Sequence, residues 1–157
     1  MVNLALFAQL ALASTAFADG GALPTKHGCG GSDASPSIEL QHPPLDATHW
    51  ALVVDDPDSG AVLWAVWNIP ILERFLDEGM PKNTTTTRPT QGRNHKKRLG
   101  WVGPCPASGA TNTVRFRAFA LKRPLGLSIT STGGDVLEAT KGFVTIESAE
   151  LRATYQK

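Results

Sequence analysis

Two apolar runs separated by an acidic turn form the clearest hydrophobic pattern in the chain. Residues 50–54 lead directly into a turn that opens with Asp55 and Asp56, and residues 61–70 follow it. Both runs have the length and the β-branched and aromatic content of strands. Both are apolar at odd and even positions, which is typical of strands buried on both faces. The pattern therefore predicts two central strands, while the Asp, Pro, Ser and Gly residues between them also fit a turn without a function.

Alternating apolar and polar residues predict three further strands. A short strand lies within residues 35–40, with Ile38 and Leu40 on one face. Residues 113–121 alternate strictly, so that strand has a core face and a solvated face that carries its arginines. Residues 149–155 alternate in the same way and form the last predicted strand.

A helix and a long loop complete the predicted elements. Asp135 and Glu138 have the spacing of an N-cap residue and an N3 glutamate, and apolar residues recur at helical spacing as far as Val144, which predicts one helix of about three turns. Residues 73–99 carry few apolar side chains and predict a surface loop, in which the basic run 95–98 fits either a solvated segment or a grip on phosphate. The fold class predicted is mainly β.

The N-terminus resembles a removable leader. Residues 4–13 are apolar but too short to cross a bilayer, and Ala16-Phe17-Ala18 is a small-x-small cleavage signal before Asp19. The pattern predicts a signal peptide over 1–18, a domain over 19–157, and a secreted or periplasmic location. No Lys or Arg precedes the apolar stretch, so an N-terminal buried strand or helix of a cytosolic protein is the alternative.

Composition narrows the function classes. The 157 residues suit one domain, and a formal charge of +1 gives no case for nucleic acid or an acidic membrane as partner. In an oxidising compartment the two cysteines, Cys29 and Cys105, favour one disulfide, whereas two buried free thiols are the alternative. Asn83 opens a glycosylation sequon, Asn-Thr-Thr, which matters only in a eukaryotic host.

Catalytic and metal-binding signatures are scarce in the sequence. It contains no Gly-x-Ser-x-Gly elbow, Walker loop or dinucleotide fingerprint, and His27 and Cys29 are its only close His/Cys pair. Asp56 and Asp58 alone are weak evidence for glycoside hydrolysis. We therefore expect no cofactor, no metal ion and no enzymatic activity.

Several separated motifs resemble the phosphatidylethanolamine-binding proteins, closest to their prokaryotic Raf-kinase-inhibitor-like (YbhB/YbcL-type) branch. They are Ser35-Pro36-Ser37-Ile38, Asp56-Pro57-Asp58, residues 64–70 and residues 100–106, in the family's order and spacing. The resemblance covers roughly residues 23–155. It implies a β-sandwich with one or two peripheral helices, and a small pocket at one end that holds phosphate or a phospholipid headgroup.

The resemblance also implies which residues form that pocket and the disulfide. It brings the loops of Cys29 and Cys105 towards the same end of the sandwich, which supports a bridge between them. The implied ligand-binding positions are Asp56, Pro57, Asp58, Leu63, Trp64, Gly103, Pro104, Pro106 and Asn112.

The pocket departs from the family pattern where charge matters. Leu63 and Asn112 stand in place of histidines, and Ala61 replaces an aromatic wall residue. The remaining donors are then backbone amides near Gly103 and the Asn112 side chain, facing the carboxylate of Asp56, which predicts weak binding of phosphate or a phosphorylated headgroup.

Two functions follow as expectations. The first is a secreted, non-enzymatic binding protein with a degenerate anion or phospholipid-headgroup pocket. The second is a protein-interaction module, similar to the family's protease or kinase inhibitors, that acts through surface loops such as 73–99 and binds no small ligand. The sequence names neither the partner nor the oligomeric state.

Overall fold

The computed structural model describes residues 8–82 and 89–157. The chain folds into two antiparallel sheets, ordered β1-β2-β5 and β6-β4-β3-β7-β8, with one α-helix. The elements are β1 (Ala11–Ala13), β2 (Ile38–Gln41), β3 (His49–Asp55), β4 (Val62–Pro70), β5 (Phe75–Leu76), β6 (Thr90–Gln91), β7 (Thr111–Leu121), α1 (Gly133–Ala139) and β8 (Thr145–Gln156), with 3-10 turns at Thr25–His27 and Gly142–Val144. Across the described residues no helix combines the length and apolar character that a membrane crossing requires.

The two predicted central strands are confirmed as β3 and β4. They pair antiparallel around the acidic turn, with Trp50 opposite Ile69 and Val54 opposite Trp64. Their burial on both faces is explained by two hydrophobic clusters. One lies between the sheets, and the other lies beneath α1 on the outer face of the larger sheet. This is the mainly β sandwich with a peripheral helix that the sequence predicts.

The alternating strands are confirmed as well. Ile38 and Leu40 of β2 are buried side by side in the core between the sheets. On β7, Val114 and Phe116 face that core, while Arg115 lies on the outer face. β8 pairs with β7 along its whole length.

The helix begins earlier and is shorter than predicted. Thr132, and not Asp135, is its N-cap residue, because the Thr132 hydroxyl accepts from the Asp135 amide and the Asp135 carboxylate accepts from the Thr132 amide. Asp135 is therefore the N3 residue of a capping box. The helix ends at Ala139, and Phe143, predicted on its apolar face, is 93% exposed.

Residues 10–18 lie inside the domain, within the stretch 1–18 that the sequence predicts as a signal peptide. β1 pairs with β2, and Leu10, Leu12 and Phe17 are buried in the core between the sheets. The ring of Phe17 lies 5.2 Å from that of Phe116, centroid to centroid. The alternative of an N-terminal buried strand describes these residues better.

The small-x-small pattern at Ala16-Phe17-Ala18 fits two structures. Alanines beside an apolar residue suit a leader's cleavage site, and they suit equally a short strand that must pack closely against a sheet. Cleavage after Ala18 remains a prediction, and it would remove β1 and the Phe17 side chain from the core.

The described parts of the segment 73–99, residues 73–82 and 89–99, are more ordered than the predicted loop. They contain β5 and β6, and Gln91 is buried, accepting from the Trp64 indole and donating to the Pro81 carbonyl. The low apolar content of the segment predicted a loop. Buried polar side chains such as Gln91 nevertheless hold its described parts in place. The predicted sequon at Asn83 lies outside the described residues.

Candidate binding pocket

The acidic turn directs two neighbouring carboxylates to opposite sides of the larger sheet. Asp55 is paired with Arg115, through contacts of 2.9 and 2.7 Å, and with Arg117 at 3.0 Å. The hydrogen bonds and charge of Asp55 raise the pKa of Arg115 above its ordinary value. Because side chains alternate along a strand and its extension, Asp56 faces the other way, towards the beginning of β7.

Asp56 is almost buried and has partners on both carboxylate oxygens. Its Oδ1 accepts from the backbone amide of Asp58 at 2.9 Å, and its Oδ2 accepts from the Asn112 side-chain amide at 3.3 Å. Buried carboxylates are stable when such donors are present. The Asn112 amide, predicted as a donor to a bound anion, is therefore engaged with Asp56.

The glycine-proline loop forms one wall beside Asp56. The amide of Gly103 donates to the Asp33 carboxylate at 2.7 Å, and the Trp101 indole donates to the carbonyl of His27 at 3.0 Å. Gly103 lies so close to His27 that an added Cβ would overlap the His27 carbonyl oxygen. The Gly103 amide is therefore engaged with Asp33, whereas the sequence predicts donors to a ligand among the backbone amides near Gly103.

A disulfide holds the same wall, as predicted. The Cα atoms of Cys29 and Cys105 are 5.2 Å apart, and their sulfur atoms are 2.06 Å apart. The Cys29 amide also donates to the Pro104 carbonyl at 3.2 Å. Closing a loop of this length stabilises a fold by roughly 3–5 kcal/mol in the entropic account.

The basic run folds into a tight turn around Asn94. The buried side chain of Asn94 accepts from the amides of Lys96 and Arg98 and donates to the Gly100 carbonyl. An asparagine that bonds the backbone two residues ahead is a common turn device. The turn is fixed to the sheet by a 2.8 Å hydrogen bond from the His95 amide to the Val62 carbonyl.

These three loops enclose a cavity of about 440 Å³ at one end of the larger sheet. Five of its residues are among the predicted ligand-binding positions, and the other five come from the acidic turn, the basic turn and the disulfide. The lining residues are Asp56, Ser59, Ala61, Leu63, His95, Lys96, Gly103, Pro104, Cys105 and Asn112.

Four predicted positions do not line this cavity: Pro57, Asp58, Trp64 and Pro106. Trp64 is fully buried, and its ring meets Trp101 edge-on with centroids 5.7 Å apart. Asp58 contributes through its backbone amide, which supports Asp56.

The lining also brings in charge that the sequence did not predict there. Lys96 and His95 belong to the run that fitted either a solvated segment or a phosphate grip. Only the folded turn shows that they line the same cavity as Asp56 and Leu63. Partial burial, reinforced by the charge of Lys96, lowers the pKa of His95 below its ordinary value. At neutral pH the ring is thus uncharged, and Lys96 carries the cavity's positive charge.

Comparison with known proteins gives consistent similarities. The family model described as phosphatidylethanolamine-binding protein matches residues 13–156, a match that begins before the predicted cleavage site. A "UPF0098 protein" of Methanothermobacter thermautotrophicus is 36% identical over 150 residues, covering 93% of this chain and 98% of that protein. A "Putative lipoprotein LppC" of Mycobacterium tuberculosis is 32% identical, covering 83% of this chain and 64% of that protein.

Two solved structures share the fold. The Chlamydia trachomatis protein CT736, described as a homologue of the phosphatidylethanolamine-binding proteins, superposes with a TM-score of 0.85 at 32% identity, covering 95% of this chain and 98% of that one. YbcL of Escherichia coli superposes with a TM-score of 0.86 at 29% identity, covering 96% and 99%.

Proposed function

Because the chain belongs to the phosphatidylethanolamine-binding protein family, we propose that it is a non-enzymatic binding protein whose pocket takes phosphate or a phosphorylated headgroup with weak affinity. The observation that carries this proposal is the position of Lys96 and His95 in the lining of the cavity that Asp56 also lines. An anion requires a cationic or hydrogen-bonding partner. Lys96 supplies the positive charge that Leu63 and Asn112 do not.

The affinity is weak because few donors remain for a ligand. The Gly103 amide is bound to Asp33, and the Asn112 amide is bound to Asp56. The Asn112 amide carries a second N–H, but an anion that reached it would meet the Asp56 carboxylate at the same time. A solvated lysine alone contributes modestly to binding.

Binding, and not catalysis, fits the state of the pocket carboxylate. Both oxygens of Asp56 accept hydrogen bonds from the chain's own amides. These hydrogen bonds hold the acidic turn against the beginning of β7, which gives Asp56 a structural role.

We also assign the protein to an oxidising, extracytoplasmic compartment. Cys29 and Cys105 are both exposed in the structure, and exposed disulfides persist where the surroundings are oxidising. The name of the Mycobacterium tuberculosis relative is compatible with this location.

Calorimetric titration with phosphate and phosphoethanolamine tests the proposal. We expect saturable binding that Lys96→Gln weakens at least fivefold. Lys97→Gln is the matched control, since Lys97 belongs to the same turn but does not line the cavity. Equal affinities for both variants and the unmodified protein would place the anion elsewhere, and no binding at millimolar ligand would end the proposal.

The second candidate, a protein-interaction module, is favoured by one observation. Leu72 is 87% exposed and Phe75 is 66% exposed, at the beginning of the segment 73–99. Large apolar side chains on the surface often mark a protein contact when they lie together. Absence of saturable phosphate binding, together with loss of inhibition of a target protease or kinase in Leu72→Ser/Phe75→Ser, would favour this function.

A further inference from the structure

The lining of the pocket changes character with depth. Ser59, His95 and Lys96 are exposed and form what we call the mouth. Leu63 is only 3% exposed, and Pro104 is also buried; together with Asp56 they form what we call the floor. The cationic groups are thus at the mouth, and the floor combines apolar surface with one carboxylate.

The polar groups of the floor need nothing from a ligand. Asp56 has a partner on each oxygen, and the Gly103 amide beside it donates to Asp33. An anionic group at this depth would lose its water and lie beside the like charge of Asp56. Burying a charge without partners is among the costliest steps in binding, so the anionic end of a ligand belongs at the mouth.

The volume of the cavity indicates that an ion alone does not fill it. At about 440 Å³, the cavity lies within the range of roughly 300–1,000 Å³ found for pockets that hold drug-sized molecules. Ala61 contributes only a methyl group to the lining, and Leu63 presents a branched aliphatic side chain. The space near the floor therefore suits an apolar group, which gains free energy by leaving water.

We propose that the ligand of this pocket is an amphiphilic anion, with an apolar body against Leu63 and Pro104 and one anionic group at the mouth beside Lys96. The inference rests on the proposed function and names the ligand class and its orientation. Leu63 then acts as a specificity-determining residue, because a leucine at the floor favours an apolar body where a polar side chain would favour a hydrated group.

Four ligands titrated at pH 8 test this orientation: inorganic phosphate, phosphoethanolamine, n-butyl phosphate and phenyl phosphate. We expect the butyl or the phenyl ester to bind at least tenfold more tightly than both phosphate and phosphoethanolamine. A tighter butyl ester indicates a lipid-derived alkyl chain, and a tighter phenyl ester indicates a small aromatic metabolite. Lys96→Gln should weaken the binding of both esters.

A variant at Leu63 tests whether the tighter binding of the esters depends on the floor of the pocket. Leu63→Asn should remove most of the preference for the esters over phosphate, whereas Leu72→Asn on the exposed surface should leave that preference unchanged. The unmodified protein supplies a second measurement that does not depend on the variant folding. Intermolecular nuclear Overhauser effects should connect the phenyl protons with the Leu63 methyl groups.

The outcomes separate the two proposals. If phosphate, phosphoethanolamine and the esters bind with equal affinity, the anion site stands and the amphiphilic ligand is wrong. Overhauser effects from the phenyl ring to the Lys96 methylenes, without any to Leu63, would likewise overturn the orientation. If none of the four ligands binds, the proposed function itself fails.

Discussion

The backbone amide of His95 donates a hydrogen bond of 2.8 Å to the carbonyl oxygen of Val62. This single bond fixes the basic turn one residue away from Leu63, the position where the family resemblance calls for a histidine. Positive charge absent from the strand is therefore supplied by a neighbouring loop. The pocket therefore has more positive charge than its strand residues, Leu63 and Asn112, suggest.

His95 should make anion binding dependent on pH. Burial and Lys96 lower the pKa of His95, so its ring is neutral at pH 7 and gains a proton only on acidification. The affinity for phenyl sulfate, which keeps one negative charge throughout, should rise as the pH falls from 8 to 5. The rise should be lost in His95→Asn and kept in Lys97→Gln; an equal rise in all three proteins would assign it to another group.

Restoring two imidazoles should strengthen phosphate binding. Leu63 and Asn112 both line the cavity, so Leu63→His with Asn112→His places two cationic groups near the ligand at pH 6. We expect calorimetry to show a gain of at least tenfold, larger at pH 6 than at pH 8 because protonated imidazole is the group that attracts the anion. An unchanged affinity would show that the pocket does not lack the histidines.

Gly103 should be intolerant of any side chain. A Cβ at this position would overlap the His27 carbonyl, so Gly103→Ala has to displace backbone. We expect thermal or urea unfolding to show a loss of roughly 1–3 kcal/mol. At Gly126 an added Cβ would meet no atom within 4 Å among the described residues, so Gly126→Ala should remain within about 0.5 kcal/mol. Equal stability of the two variants would contradict the close packing of this wall.

The N-terminal strand should be required for stability. Phe17 packs on Phe116 in the core, whereas Phe143 is on the surface. Phe17→Ala should therefore reduce the free energy of unfolding by about 3 kcal/mol, and Phe143→Ala should change it by less than about 0.5 kcal/mol.

A protein that begins at Asp19 and still unfolds cooperatively at the same temperature would contradict that role of β1. It would also restore the interpretation of the first eighteen residues as a cleaved leader.

The correctly predicted elements are those in which the pattern of apolar residues matches the buried faces of the strand. β3 and β4 are apolar on both faces because a core lies on each side of their sheet, and β7 alternates because only one of its faces meets the main core. The helix start was displaced because Thr132 and Asp135 cap each other across two glycines, and an aspartate at N3 resembles one at the N-cap.

The missed residues depend on long-range hydrogen bonds, which leave no periodic signal. Asp33 is 70 positions from Gly103, and His95 is 33 positions from Val62, so their contacts emerge only when the sheets assemble. One local signal could have been followed further. Asn94 before a basic run predicts a tight turn that presents the following residues together.

Amide chemical shifts recorded during a phosphate titration test the central claim most directly. If phosphate binds in the cavity beside Lys96, the largest saturable shifts should fall on the amides of residues 59–63, 94–96, 103, 105 and 112, and Lys96→Gln should diminish them all. Shifts confined to the outer face of the larger sheet near Arg117 and α1, or shifts unaffected by Lys96→Gln, would contradict the account.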